Sequence, residues 1–206
     1  MDVEQSPRAQ SASGVVADGR RARSRSSRTR IVEALLDLVG KGEVAPSAAR
    51  VAEVAGVGLR SVFRHFADMD ALYSAMGATI EQQVMPIIAQ DPIGDTWKAK
   101  LFDIAERRAK VFEAIMPYRI SASIKRFQSA FLMERYHHMV RLEADMIAPH
   151  LPAAVKADRI AAHGLNVILG FQTWRLLRHD HQLPVDEATA VVRRLLTDAL
   201  AALPDA

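Results

Sequence analysis

Basic and polar side chains between residues 59 and 65 have the composition of a surface that reads DNA bases. Arg60 and Arg64 are four residues apart, so one face of a helix would carry both, with Ser61 beside them. An arginine guanidinium can donate two hydrogen bonds to a guanine edge, a contact worth ~1–3 kcal/mol of discrimination between bases. We therefore expect at least one of these arginines to read a base, with Ser61 and Phe63 at the same surface.

The residues around this group have the pattern of a helix-turn-helix. Ala48, Val51 and Ala52 lie at the i, i+3, i+4 spacing of a short amphipathic helix, and Gly56 follows in a break where a tight turn can require positive φ. A second helix is predicted from Leu59 to His65, with Val62 facing the first. Two short helices at a steep angle can place polar side chains in the major groove of DNA. An ordinary helical hairpin at a domain surface is the alternative interpretation.

An arginine-rich segment precedes this pattern. Residues 20–30 read RRARSRSSRTR and contain no acidic residue. Such a segment repels itself and lacks apolar residues to bury, so we predict a disordered basic arm over residues 1–24. Its arginines, including Arg20, Arg21 and Arg23, would be attracted to phosphates at any sequence. The alternative is a solvated tail.

The segment S-x-x-x-V-A-x-x-A-G-V-x-x-x-x-V-F-x-H-F-x-x-x-D-x-L, which follows a helix and Gly42, resembles the N-terminal domain of the tetracycline-repressor (TetR) family of bacterial regulators. The resemblance covers about residues 28–76. It implies a recognition helix from about Gly58 to Arg64, a phosphate contact at Ser47, and backbone contacts at Phe63 and His65. The complete predicted DNA-binding set is Arg25, Arg28, Ser47, Arg60, Ser61, Phe63, Arg64 and His65.

Three residues depart from the family pattern. Phe63 stands where tyrosine is usual, and Met69 where lysine is usual, so two phosphate contacts are lost. Gly58 replaces the usual serine or threonine cap, which weakens the start of the recognition helix by a few tenths of a kcal/mol. The arginine-rich arm can offset these missing contacts.

Composition agrees with a helical DNA-binding protein. The chain has 206 residues, of which 50% are hydrophobic, a net charge of +3 and no cysteine. We predict an all-α protein with a three-helix DNA-binding domain over residues 25–76 and a helical ligand-binding and dimerisation domain over residues 77–206. No segment has the length and hydrophobicity of a membrane helix or a signal peptide, so we expect a cytoplasmic protein without a membrane partner.

The helix boundaries are predicted from apolar spacing, caps and prolines. Asp68 and Asp95 are the expected N-caps of two helices. We expect Pro86 to end or kink the first of these helices and Pro117 to break the second. The predicted helices cover residues 25–41, 69–85, 96–115, 155–179 and 185–202, with one or two more between 118 and 148.

The last two predicted helices have apolar stripes that favour a homodimer. Ile160, Val167 and Trp174 lie on one of them, where Gly164 and Gly170 would let another backbone approach closely. A helix-turn-helix protein of this size usually binds two half-sites as a twofold dimer, and the resemblance implies pairing of these helices in a four-helix bundle. Packing within one chain is the alternative.

The body also has residues suited to a pocket for an unknown small-molecule effector. These aromatic and polar residues are Tyr118, Phe127, His137, Asn166, Phe171 and Trp174. Ordinary core packing is the alternative for each. We predict a double-stranded DNA operator as partner, no cofactor and no metal. A repressor released by an effector is the leading interpretation, ahead of a DNA-binding protein without a small ligand. A small helical enzyme ranks last, because no catalytic motif is present.

Overall fold

A computed structural model describes residues 11–205, with side chains from residue 25 onward except that of Lys125, and this range is helical without a strand. The helices are α1 (Ser11–Gly40), α2 (Ala48–Val54), α3 (Leu59–His65), α4 (Met69–Ile88), α5 (Trp97–Lys125), α6 (Ala130–Asp145), α7 (Ala153–Ala157), α8 (Arg159–Ile168), α9 (Phe171–Arg175) and α10 (Val185–Ala201). A 3₁₀ turn follows α6, and a π-helical turn, Leu176–Asp180, follows α9. The all-α prediction is confirmed. None of these helices is both long and apolar enough to cross a membrane.

The chain divides into two compact units, one ending at Met76 and the other beginning at Gly77. We call them the head and the body. In the head, α1 packs against α2 and α3. The head core consists of Ile31, Leu35, Leu38, Val39, Val51, Val62, Phe66, Leu72, Tyr73 and Met76.

Helix α1 begins earlier than predicted. It starts at Ser11, so residues 11–24 continue a helix where a disordered arm was expected, and residues 1–10 lie outside the described residues. Arginine and alanine have high helix propensity. Extending a helix that already packs through Ile31 and Leu35 costs less than nucleating a new one.

Helices α4 and α5 both continue through a proline. Pro86 lies inside α4, which ends at Ile88, and Pro117 lies inside α5, so the predicted break at Pro117 is wrong. A proline inside a helix costs ~3 kcal/mol or more. Burial of one large apolar side chain stabilises by ~1.5–3 kcal/mol. Helix α5 buries Leu101, Val111, Phe112 and Ile115, which together exceed the cost of Pro117.

Of the two predicted helix caps, the cap of α4 is confirmed and the cap of α5 is wrong. Asp68 caps α4 as predicted, because its Oδ1 accepts a hydrogen bond from the backbone N–H of Ala71 at 2.8 Å. Thr96 rather than Asp95 caps α5, since the Thr96 hydroxyl accepts from the Ala99 N–H at 3.1 Å. The predicted start of α5 was therefore one residue early.

The predicted helix over residues 155–179 is divided into α7, α8, α9 and the π-helical turn. Asp158 starts α8 by accepting hydrogen bonds from the N–H groups of Ile160 and Ala161, each at 3.0 Å. Gly170 starts α9, and a Cβ there would lie 2.8 Å from the carbonyl oxygen of Asn166. The close approach predicted for this glycine is thus made by its own chain.

These breaks divide the predicted apolar stripe between two environments. Phe171 and Trp174 lie in the body core, while Ile160 is 87% exposed and Val167 is 67% exposed. The body core is formed mainly by α5, α8, α9 and α10, with Ile147, Leu151 and Val155 from the segment around α7.

Candidate nucleic-acid interface

The turn between α2 and α3 has the predicted glycine geometry. Gly56 has φ +62, a left-handed conformation that residues with a Cβ adopt at a cost. The N–H of Gly56 donates to the carbonyl of Glu53 at 3.1 Å, and that of Val57 donates to the carbonyl of Ala52 at 3.0 Å. These bonds close the end of α2 and direct the chain into α3.

The two helices of the pair begin differently. Ser47 caps α2, where its hydroxyl oxygen accepts from the N–H of Arg50 at 3.2 Å. The hydroxyl hydrogen stays available for a phosphate oxygen. Gly58 begins α3 without a side-chain cap, so a weaker start of this helix stays a prediction.

The outer face of α3 carries the predicted base-reading residues. Arg60 and Arg64 are exposed, Ser61 is half-buried and Phe63 is 48% exposed. The Arg64 Nη2 donates to the Ser61 hydroxyl at 3.2 Å, which orients the guanidinium without neutralising it. The core side of the helix is held by Val62, which is buried.

Leu59 also lies on the exposed surface of α3, although the sequence analysis did not select it. It is 46% exposed and precedes Phe63 by four residues, so the two form an apolar strip beside the arginines. Apolar side chains contact thymine methyl groups in the major groove. The four-residue spacing was the signal that could have identified Leu59.

His65 contributes a neutral ring at the end of α3. Its Nε2 is buried without a hydrogen-bond partner. Burial lowers the pKa of the imidazole, and the nearby guanidiniums of Arg64 and Arg28 lower it further. A phosphate contact by His65 would therefore use Nδ1 as a neutral donor.

The arginines of α1 and α2 are placed differently from those of α3. Arg25 is exposed, whereas the Arg28 guanidinium lies 4.6 Å from the centre of the Phe66 ring. Arg50 pairs with Glu53 at 2.9 Å and with Glu43 at 3.5 Å, so its charge is compensated within the head. The side chains of the predicted arm, residues 1–24, lie outside the description.

The structure does not bring the six predicted effector residues into one cavity. Phe171 and Trp174 are buried in the body core, as the core-packing alternative anticipated. Phe127 is 74% exposed and His137 is also exposed. Tyr118 and Asn166 are half-buried. A cavity of about 10 Å³ adjoins Trp174 alone among the six.

A charged network inside the body is the feature that the sequence did not reveal. Arg108 on α5 is only 6% exposed. Its guanidinium donates to the carbonyl of Leu169 at 2.9 Å and to the carbonyl of Glu143. Arg119 forms an ion pair with the Glu143 carboxylate. Sequence spacing cannot locate this network, because its members come from three helices.

A second ion pair fixes the π-helical turn to α5. The Glu113 carboxylate accepts hydrogen bonds from Arg178 Nε at 2.8 Å and Nη2 at 2.9 Å, and from the Trp174 indole at 2.8 Å. The Arg178 hydrogen bond is the main reason that the pKa of Glu113 is lowered. Within residues 11–205, no group of three or more histidine, aspartate or glutamate side chains is arranged to hold a metal ion.

Solved structures with a similar fold include a multidrug-binding protein and transcriptional regulators. The multidrug-binding protein EbrR has 20% identity and a TM-score of 0.60, over 82% of this chain and 88% of that one. A TetR regulator from Rhodococcus sp. RHA1 has 16% identity and a TM-score of 0.57, over 86% of this chain and 97% of that one. The chain has the TetR-family fold.

A third match supports the same fold. NalD, the secondary repressor of the MexAB-OprM multidrug efflux pump in Pseudomonas aeruginosa, has 18% identity and a TM-score of 0.56, over 86% of this chain and 96% of that one. No protein-family model and no curated protein matches the sequence. Structure therefore identifies the TetR-family fold where sequence comparison does not.

Proposed function

We propose that this protein is a homodimeric transcriptional regulator that binds a double-stranded DNA operator and is released from it by a small-molecule effector. The observation that carries the proposal is the outer face of α3. It presents Arg60 and Arg64 to solvent, beside Ser61 and Phe63, on a helix anchored by Val62. The TetR-family fold supports this assignment, since the solved proteins that share it are regulators.

Exposed apolar residues on α8 and α10 support the homodimer. Ile160 and Val167 on α8, and Leu195 at 43% on α10, are exposed although they are apolar. A Cβ on Gly164 would meet nothing within 4 Å, so this part of α8 is open to a second copy. A twofold dimer would place two heads on half-sites roughly 34–36 Å apart.

Helix α4 is the element through which an effector would act on DNA binding. It supplies Leu72 and Tyr73 to the head core, and Ile80 and Val84 pack against the body core. An effector weakens operator binding only by its differential affinity for the two states of the protein, and the coupling is reciprocal. We infer that an effector shifts α4 while the head moves as a rigid unit.

A regulator without a small-molecule effector is the second candidate. The cavity beside Trp174 measures about 10 Å³ and another, beside Arg108 and His150, about 40 Å³. Drug-sized ligands occupy pockets of roughly 300–1,000 Å³. These two cavities are too small for such a ligand. A larger space of about 610 Å³ lies along α4 beside Met85 and Pro86, but it is an open groove and not an enclosed pocket. Control by a protein partner accounts for both observations.

Selection of genomic fragments bound by the purified protein tests the proposal. We expect enrichment of a sequence with two related half-sites, and a site beside the protein's own gene would identify the regulated pathway. The Arg60→Ala/Arg64→Ala double variant is the control and should enrich no sequence. Recovery of fragments without a shared sequence would contradict sequence-specific binding.

Sedimentation of Val167→Glu beside the wild type tests the dimer. A charge on this exposed apolar face should shift the protein towards the monomer, while Thr197→Glu on exposed polar surface serves as the control. An unchanged dimer in the Val167→Glu variant would place the interface elsewhere.

Titration of a candidate effector with and without operator separates the two candidates. Operator must weaken effector affinity by the same factor as effector weakens operator affinity. Equal effector affinity in both titrations would exclude that compound as an effector. Repeated failure across compounds would favour the second candidate.

A further inference from the structure

The body contains a carboxylate on α6 that is held by donors from two other helices, α5 and α9. Oε1 of Glu143 on α6 accepts from Arg119 on α5, and Oε2 accepts from the backbone N–H of Phe171 at 3.2 Å. The Arg119 guanidinium also lies 4.1 Å from the centre of the Phe171 ring. Both charged side chains are largely buried, with exposures of 14% for Arg119 and 17% for Glu143. Donor geometry of this kind suits any carboxylate, whether it belongs to the chain or to a ligand.

Positive charge exceeds negative charge at this site. Arg108 lies beside Glu143 but donates only to carbonyl oxygens, those of Leu169 and Glu143. Burial lowers the pKa of Arg108 to about 10, Glu143 opposes this effect, and Arg119 adds to it. Arg108 stays charged at neutral pH, so two guanidiniums, those of Arg108 and Arg119, lie near one carboxylate. A buried unbalanced charge is costly, and a bound anion would reduce that cost.

Two small cavities are lined by Arg108. The cavity of about 10 Å³ is lined by Arg108, Phe112, Gly170 and Trp174 among others. The cavity of about 40 Å³ is lined by Arg108, Ile104, Met146 and His150 among others. A water molecule needs roughly 10–15 Å³ of such space, so each cavity is small. The nearer of the two to Glu143 is the one lined by Gly170, since a Cβ on Gly170 would lie 3.7 Å from Glu143 Oε2.

We propose that Arg108, Arg119 and the Phe171 N–H form a binding site for a carboxylate ligand, which Glu143 occupies in the ligand-free protein and which the ligand takes by displacing Glu143. The class of effector is then an organic acid with a small apolar body, whose carboxylate meets the arginines. The effector role rests on the proposed function, whereas the anion site itself does not. A purely structural ion pair between Arg119 and Glu143 is the competing interpretation.

Chemical rescue distinguishes these interpretations. Glu143→Ala and Glu143→Ser remove the internal carboxylate, and thermal unfolding is measured in sodium formate and in sodium chloride at equal ionic strength. We expect formate to raise the melting temperature of both variants by at least ~3 °C more than chloride does, because a ligand that binds only the folded state stabilises it. The wild type should show no such difference.

Glu106→Ala is the matched control, since Glu106 pairs with Arg193 on the surface and both are 52% exposed. It should gain nothing specific from formate. If neither Glu143 variant gains more from formate than from chloride, or if neither folds in either salt, the anion site is overturned.

Octanoate tests displacement in the intact protein. We expect octanoate to stabilise the wild type and to bind Glu143→Ala at least ~10-fold more tightly, since no internal carboxylate competes there. Octanol is the uncharged control. An equal effect of octanol and octanoate, or equal octanoate affinity in the two proteins, would contradict displacement.

The effector role is tested by a separate measurement of operator affinity. Octanoate binding without a change in operator affinity would leave the anion site standing and refute its effector role.

Discussion

Arginines serve opposite purposes in the head and in the body. On α3, Arg60 and Arg64 are exposed, and no carboxylate among the described residues pairs with either. In the body, Arg108 is buried against carbonyl oxygens and Arg178 is bound by both oxygens of Glu113. The same side chain thus leaves its charge unmatched in one unit and cross-links helices in the other. The net charge of the chain does not indicate which arginines are exposed and which are buried.

Removal of Arg108 should cause the largest loss of stability. Arg108→Leu leaves the carbonyl oxygens of Leu169 and Glu143 without their donor. Unsatisfied buried groups cost ~1–3 kcal/mol each, and relief from burying a charge offsets part of this, so we expect a net loss of ~2–4 kcal/mol. Urea unfolding measures it. Arg194→Leu is the control, because Arg194 is 79% exposed beside Asp198 and its loss should change the unfolding free energy far less. Equal losses in the two variants would remove the contrast between buried and surface arginines.

The arginines of α3 should affect specificity more than stability. Arg60→Ala or Arg64→Ala should reduce discrimination between operator and random duplex by ~1–3 kcal/mol, as expected for a lost contact to guanine. Fluorescence anisotropy with the two duplexes measures the ratio. Arg50→Ala is the matched control in the same unit, since Glu43 and Glu53 already compensate that charge. An unchanged ratio in both α3 variants would refute base reading by these residues.

Deletion of residues 1–24 should weaken binding to operator and random duplex about equally. It removes Arg20, Arg21 and Arg23. Each lost phosphate contact reduces the steepness of the plot of log affinity against log salt concentration by roughly 0.9. That amounts to about threefold in affinity per contact between 50 and 200 mM salt. Affinities measured across this range provide the slope. The same slope in the full chain and the deletion variant would mean that the segment makes no phosphate contact.

Restoration of the missing cap on α3 should have the smallest effect. Gly58 has φ −71 and ψ 149, and a Cβ there would meet nothing within 4 Å, so Gly58→Ser fits without strain. We expect a gain of a few tenths of a kcal/mol in unfolding free energy. Gly56→Ser is the opposite control and should destabilise, because Gly56 has φ +62. A loss of stability in Gly58→Ser would show that the uncapped start is needed.

The head from α2 to the start of α4 was predictable from sequence, unlike the start of α1, because its boundaries depend on neighbours in the chain. The bounds of α3 agree with the prediction, and Gly56 and Asp68 act at the turn and the cap where they were expected. Each of these signals involves residues within four positions of one another. Interactions between residues close in the chain therefore determine the structure there, and these interactions can be predicted from a single sequence.

The body was less predictable because contacts between distant residues override its local signals. Pro117 remains helical inside α5. The apolar spacing predicted one helix up to residue 179, but the chain breaks before Gly170, which starts α9. Arg108 is buried because carbonyls from residues 143 and 169 converge on it. The tertiary fold decides which residues converge. The sequence therefore indicated candidate effector residues but could not predict whether they lie together in one pocket.

Trp174, whose indole donates to Glu113, makes intrinsic fluorescence a probe of the body. The chain has two tryptophans, Trp97 and Trp174, and both lie in the body. Trp174 is 3% exposed and lines a cavity with Arg108. Its emission therefore responds to the polarity and charge around that cavity, while the head contributes no tryptophan signal. Events in the body can be followed by intrinsic fluorescence, and labelled DNA reports on the head in the same cuvette.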